Sequence, residues 1–129
     1  MNTPHALVID DNARNVQVLK LLLAEQSIEC TVTTDPRMLD DVLAGLARVD
    51  VVFLDLEMPG ADGYQVFQYL RSDPRFAQVP VVAYTVHQSE MNNVYQYGFT
   101  GFIGKPIDPD RFPDQIARIL NGEPVWEAL

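Results

Sequence analysis

Basic residues are scarce in this chain. Nine lysines and arginines stand against eighteen aspartates and glutamates, a formal net charge of -9 over 129 residues. A field of that sign repels phosphate backbones and anionic headgroups at long range, so direct binding to nucleic acid or to a membrane surface is not expected. Cysteine occurs once, at Cys30. A single thiol excludes an internal disulfide and reads as a packing residue; a reducing compartment fits, and the cytoplasm is the expected location. No stretch of about 18 apolar residues is present to cross a bilayer, and no charged segment leads into an apolar leader at the start. Linkers, repeats and low-complexity tracts are also missing. The two histidines, His5 and His87, are expected to be exposed, and neither they nor Cys30 stand at the strand ends described next, so a zinc centre is not expected.

With 47% hydrophobic residues, the chain has enough apolar material for one domain with one core. That domain is expected over residues 1–122, with 123–129 as a tail too short to fold alone and Trp126 without an active role. Ala6 to Ile9, Cys30 to Val32, Val51 to Leu54, Val81 to Tyr84 and Gly101 to Ile103 read as five strands. Four are nearly all apolar, as suits strands buried on both faces of a parallel sheet, and the second reads as an edge. Helices are expected between them. Asn12 caps 13–26, and Asp35-Pro36 opens 36–45. The segment 63–71 buries Val66, Phe67 and Leu70, Ser89 caps a helix to Tyr97 stopped by Gly98, and Asp108-Pro109 opens a last helix through Leu120. A repeating βα pattern implies right-handed crossovers and a doubly wound α/β domain with helices on both faces.

Several strands end in a reactive side chain: Asp10 and Asp11 after the first, Asp55 after the third, Thr85 after the fourth, Lys105 just beyond the fifth. The carboxyl edge of an open parallel sheet is where such folds place their sites. Three carboxylates gathered there repel one another unless a cation intervenes, and hard oxygen donors suit Mg²⁺. A divalent ion beside Asp55 lets a phosphoryl donor approach, so that Asp55 attacks phosphorus while Lys105 and the Thr85 hydroxyl hold equatorial oxygens. Each residue alone has a plainer reading: an acidic helix cap, a turn cap, a strand-end threonine, a solvated lysine. Their ordered occurrence favours the site.

The ordered set Asp10-Asp11, Asp55 followed by Met58-Pro59 and Asp62-Gly63, Thr85, and Lys105-Pro106 resembles the response-regulator receiver domain over nearly the whole chain. The resemblance implies the flavodoxin-like strand order 2-1-3-4-5 and transfer of a phosphoryl group to Asp55 from a histidine kinase or histidine phosphotransfer protein. It further implies that Asp11, Asp55 and the backbone carbonyl of Glu57 ligate Mg²⁺, that Asp10 holds a metal-bound water, and that Lys105-Pro106 is cis. Thr85 and Phe102 would form the switch that redistributes two conformations and alters a partner-binding surface, with core packing as the plainer reading of Phe102. On this reading the chain is a phosphoacceptor and not a turnover enzyme, beyond catalysing its own phosphorylation and dephosphorylation.

Departures from the commonest pattern sharpen the expectations. Val86 is larger than the alanine or glycine often found there and should slow small donors, while Glu57 and His87 should set the lifetime of the acylphosphate. On the first helix Val18, Leu19, Leu22 and Leu23 are expected to face the sheet, leaving Leu21 to protrude as docking surface for a histidine-bearing bundle. A homodimer through the fourth helix, fifth strand and fifth helix stays open, because Arg111, Asp114 and Arg118 supply only one side of a charge-pair network. Two other classes are weighed: a receiver-shaped interaction module without phosphorylation, and a phosphatase like the haloacid dehalogenases, suggested loosely by Asp55-Leu56-Glu57.

Overall fold

A computed structural model describes residues 3–127; residues 1, 2, 128 and 129, which belong to the expected domain and tail, lie outside the described residues. The strands are β1 (His5–Ile9), β2 (Glu29–Thr33), β3 (Val51–Asp55), β4 (Glu57–Met58), β5 (Ala61–Asp62), β6 (Val81–Thr85), β7 (Gly101–Gly104) and β8 (Trp126–Glu127). The α-helices are α1 (Ala13–Glu25), α2 (Leu39–Ala44), α3 (Gly63–Ser72), α4 (Met91–Tyr97) and α5 (Phe112–Leu120). The main sheet runs β2-β1-β3-β6-β7-β8, every pair parallel. Its first five strands reproduce the order implied by the resemblance. The separate β4-β5 pair is an antiparallel hairpin in the loop after β3, turned by Gly60 at φ 76.

Alternation along the strands divides the core in two. Leu7, Ile9, Val52, Leu54 and Phe102 pack with Leu39, Val66, Phe67, Leu70 and Val94 from α2, α3 and α4. Ala6, Val8, Phe53, Tyr84 and Ile103 face the other way, against Leu19, Leu23, Ile116 and Ile119 of α1 and α5. β3 and β6 are buried along their whole length, which explains their nearly unbroken apolar sequence. Each large apolar side chain removed from water in these layers contributes about 1.5–3 kcal/mol relative to exposure.

Several boundaries differ from expectation for local reasons. Asp35 and Pro36 open only a 3₁₀ turn over Pro36–Met38, because the Asp35 carboxylate accepts the Arg37 N–H at 2.9 Å and its carbonyl accepts from Met38; α2 follows at Leu39. Ser89 lies inside a 3₁₀ turn, Gln88–Glu90, rather than capping α4. Asp108 closes a turn by accepting the Asp110 N–H at 2.9 Å, and α5 starts four residues later. In α1, Val16 is buried and Val18 is 43% exposed, so Val18 does not face the sheet. Leu21 does protrude, at 64% exposed.

The largest addition is at the tail. Val125 is fully buried, its carbonyl accepts the Phe102 N–H at 2.7 Å, and Trp126 and Glu127 pair with Phe102 and Ile103. A Cβ on Gly101 would lie 2.8 Å from the Val125 carbonyl oxygen, so only glycine admits this close approach. Glu127 then accepts from Arg111, from Gln115 Nε2 at 2.8 Å and from Arg118. Residues read from sequence as a short tail therefore add a sixth strand to the sheet.

Candidate phosphoryl-accepting site

The carboxyl ends of β1, β3 and β6 converge with the loop after β7 on a cleft of about 940 Å³ lined by Asp11, Asp55, Glu57, Thr85, Val86 and Lys105, among others. Asp55 is 3% exposed, Asp10 and Thr85 are buried, and Asp11 is exposed. The strands hold these side chains rigidly: Asp55 pairs in register with Tyr84, and the Lys105 N–H donates to the Thr85 carbonyl at 2.9 Å. The Lys105-Pro106 peptide is cis, as the resemblance implies.

Lys105 Nζ lies 3.4 Å from Asp55 Oδ1 and 3.5 Å from Asp10 Oδ2, so the ammonium is shared between two buried carboxylates. Asp55 Oδ1 also accepts the Glu57 N–H at 3.0 Å, and Asp10 Oδ1 accepts the Asn12 N–H at 2.9 Å. Burial is the main force on the Asp55 carboxyl; with Asp10 beside it and Lys105 opposing, its pKa is pushed up to about 7. A carboxylate so reluctant to ionise has unmet electrostatic demand. Carboxylate oxygens of Asp10, Asp11 and Asp55 all lie within 4.8 Å of one another, a hard-donor cluster that fits a small divalent cation.

The remaining sequence-flagged residues fall around this centre. The Thr85 hydroxyl donates to Glu57 Oε1 at 3.3 Å and accepts the His87 N–H at 3.1 Å. His87 Nε2 lies 2.6 Å from the same Glu57 oxygen, and His87 is exposed as expected. Val86, 57% exposed, stands at the cleft wall. Phe102 is not at the cleft; it is fully buried in the core and opposite Ala83 in register. Away from the site, His5 is half-buried rather than exposed, its Nε2 2.6 Å from the Thr31 hydroxyl. Burial pushes the Cys30 thiol up to about 11, consistent with an unreactive packing role.

Sequence reasoning overlooked Tyr84. Its hydroxyl donates to Asp10 Oδ2 at 2.5 Å, and its ring face lies 4.4 Å from Lys105 Nζ. The available signal was a tyrosine in an otherwise aliphatic buried strand, since a buried phenol needs an acceptor. Burial and the Asp10 carboxylate drive its pKa far above the usual phenol value, so it remains a donor.

Comparison with known proteins agrees with this geometry. Residues 6–117 match the response regulator receiver domain family, and the chain belongs to that family. Among curated relatives, the response regulator PleD of Caulobacter vibrioides is 33% identical over 105 residues, 79% of this chain and 23% of PleD. Protein RcaC of Microchaete diplosiphon is 27% identical over 122 residues, so this chain matches 93% of its own length but spans only 19% of RcaC. The polar-differentiation response regulator DivK of Brucella anthropi is 27% identical over 117 residues, covering 89% of this chain and 94% of DivK. The chemotaxis protein CheY4 of Vibrio cholerae superposes with a TM-score of 0.81 at 22% identity, covering 92% of this chain and 99% of CheY4. A receiver domain of two-component signalling is thus the class that fold and family define, and the dehalogenase-like phosphatase reading has no support. No helix among the described residues is long and apolar enough to cross a membrane.

Proposed function

We infer that Asp55 accepts a phosphoryl group from a phosphohistidine of a kinase or phosphotransfer protein. The observation that carries this reading is Lys105 Nζ at 3.4 Å from a 3%-exposed Asp55 at the base of an open acidic cleft. An Asp55 carboxylate oxygen bonds to phosphorus, the phosphorus–nitrogen bond breaks, and its electron pair returns to the imidazole. Asp11, Asp55 and the Glu57 carbonyl would hold Mg²⁺, with Asp10 beside them, and when bound the ion would neutralise charge on the phosphoryl oxygens. Lys105 leaves its shared position to pair with one of those oxygens, and the Thr85 hydroxyl exchanges Glu57 for another.

That exchange makes Thr85 the moving part. With Phe102 on the adjacent strand, it biases the packing beneath α4 and so the surface offered to a downstream partner; phosphate acts through its differential affinity for the two arrangements. Exposed Leu21 and Val18 on α1, near Arg14 at the cleft, form the apolar footing for the donor's helical bundle. The cytoplasm, where kinase, nucleotide and Mg²⁺ meet, is the setting that fits this chemistry. The test is incubation with a phosphorylated histidine kinase and Mg²⁺, read by phosphate-affinity electrophoresis. A shifted band in the wild type that vanishes in Asp55→Asn is expected; a shift that survives the substitution overturns the assignment.

A further inference from the structure

We propose that Tyr84 is a positioning residue of this site: its hydroxyl fixes Asp10 and its ring seats the Lys105 ammonium, so one side chain keeps Lys105 shared between Asp10 and Asp55. The inference rests on the phosphoacceptor reading above and extends it to a residue outside the acceptor set. Tyr84 touches both partners at once, at 2.5 Å to Asp10 Oδ2 and 4.4 Å from ring centroid to Lys105 Nζ. The phenol itself is held, since Tyr84 is 1% exposed and meets Phe53 edge to face at 6.3 Å. Its backbone is fixed by pairing with Asp55 on one side and Ile103 on the other.

The consequence follows from counting the donors on Asp10. Oδ1 is served by the Asn12 N–H at 2.9 Å, while Oδ2 has the phenol at 2.5 Å and the ammonium at 3.5 Å, the limit of a hydrogen bond. Without the phenol, Oδ2 of a fully buried carboxylate keeps only the distant ammonium, and that pair closes. Lys105 is drawn to Asp10 and away from Asp55. Two effects then separate. The carboxylate cluster loses a neutralising donor and a cation near Asp55, so a divalent ion binds more tightly. The acceptor loses the ammonium that pairs with the arriving phosphoryl oxygens, so labelling slows.

Tyr84→Phe keeps the ring and removes the hydroxyl. Titrated calorimetrically with Mg²⁺ at a pH above the Asp55 transition, it should bind about three- to tenfold tighter than wild type, the worth of one hydrogen bond, and accept phosphoryl from a phosphorylated kinase more slowly by a similar factor. A purely structural role lowers both quantities together. That result, unchanged affinity, or tighter binding without slower labelling overturns the proposal. A second arm places 3-fluorotyrosine at position 84, a stronger donor of nearly the same shape, and should weaken Mg²⁺ binding; tighter or unchanged binding counts against the proposal even if the Phe variant fails to fold. If the wild type takes no phosphoryl group at all, the phosphoacceptor reading fails, and the two metal titrations alone decide the role of Tyr84.

Discussion

The Thr85 hydroxyl donates to Glu57 Oε1 across 3.3 Å, which ties the β6 end to the loop that follows the acceptor strand. The proton that a phosphoryl oxygen would receive is therefore already committed, and Glu57 also places a carboxylate on the cleft wall where an anionic donor must pass. Glu57→Ala removes both obstacles. Phosphorylation should accelerate about three- to tenfold, the value of one released hydrogen bond. Stopped-flow measurement with a small acyl phosphate checks this, and an unchanged rate counts against the contact as a restraint.

Acylphosphate lifetime is expected to respond to the same pair. His87 Nε2 shares Glu57 Oε1 at 2.6 Å, so the two side chains form one polar wall beside the acceptor. Loss of either should change the hydrolysis rate of phosphorylated Asp55, followed by the decay of the shifted electrophoretic band. Equal decay in wild type, Glu57→Asn and His87→Ala removes both residues from this role.

The Asp55 carboxyl gives the metal-free protein a pH dependence of defined sign. Its pKa rises from 3.8 to about 7 on folding, so the native chain holds this proton more tightly than the unfolded chain does. The resulting stability is fully present below the unfolded value and lost as pH rises through about 7. Bound Mg²⁺ would offset the loss by stabilising the ionised cluster. Its effect on melting temperature should be larger at pH 8 than at pH 5, and Asp55→Asn should flatten the difference; equal shifts at both pH values would contradict the assignment.

Val86 lines the cleft that leads to Asp55, where its bulk is expected to narrow the approach. With 57% of its surface exposed at the cleft, shortening it costs little packing, so Val86→Ala should leave stability within about 0.5 kcal/mol. Reaction with acetyl phosphate should quicken while transfer from a kinase changes less. Matched rates for small donors in both proteins remove the steric account.

Glu127 anchors β8 by accepting from Arg111, Gln115 and Arg118, the last of which also pairs with Asp114 at 3.0 Å. Gln115 is 3% exposed, and Glu127→Ala leaves its amide donor unpaired, a loss of about 1–3 kcal/mol. The half-exposed Arg111 pair adds little because solvent screens it. Urea unfolding should show the deficit in the midpoint. An acidic partner of Arg111 and Arg118 is found within the chain itself, in Glu127.

Strand positions and the convergence of Asp10, Asp11, Asp55, Thr85 and Lys105 were legible from a short-range pattern, an apolar run buried on two faces and followed at once by a polar residue, whereas the strand order came only from the family resemblance. Helix starts at Leu39, Met91 and Phe112 were not, since Asp35, the segment from Gln88 and Asp108 spend their hydrogen bonds on 3₁₀ or open turns before the α-helix can begin. Val18 turned outward, with Val16 taking a buried place, because apolar type alone does not tell which neighbouring positions of a helix face the core. The tail strand and Tyr84 were missed for a different reason. Both depend on pairings between distant residues, Phe102 with Val125 and Asp10 with Tyr84, for which local sequence carries no period.

The added strand also decides where the sheet stops. An unpaired margin of a β-sheet is a template on which foreign chains can assemble, and long, flat, apolar margins are the most hazardous. Here, among the described residues, Gly101–Gly104 is paired by the two-residue β8, whose Glu127 accepts from Arg111 just before α5 and from Arg118 on it. Among the described residues so brief a rim offers little ladder to a stray polypeptide, and the margin beside Phe102 is thereby protected from edge-to-edge pairing with foreign chains.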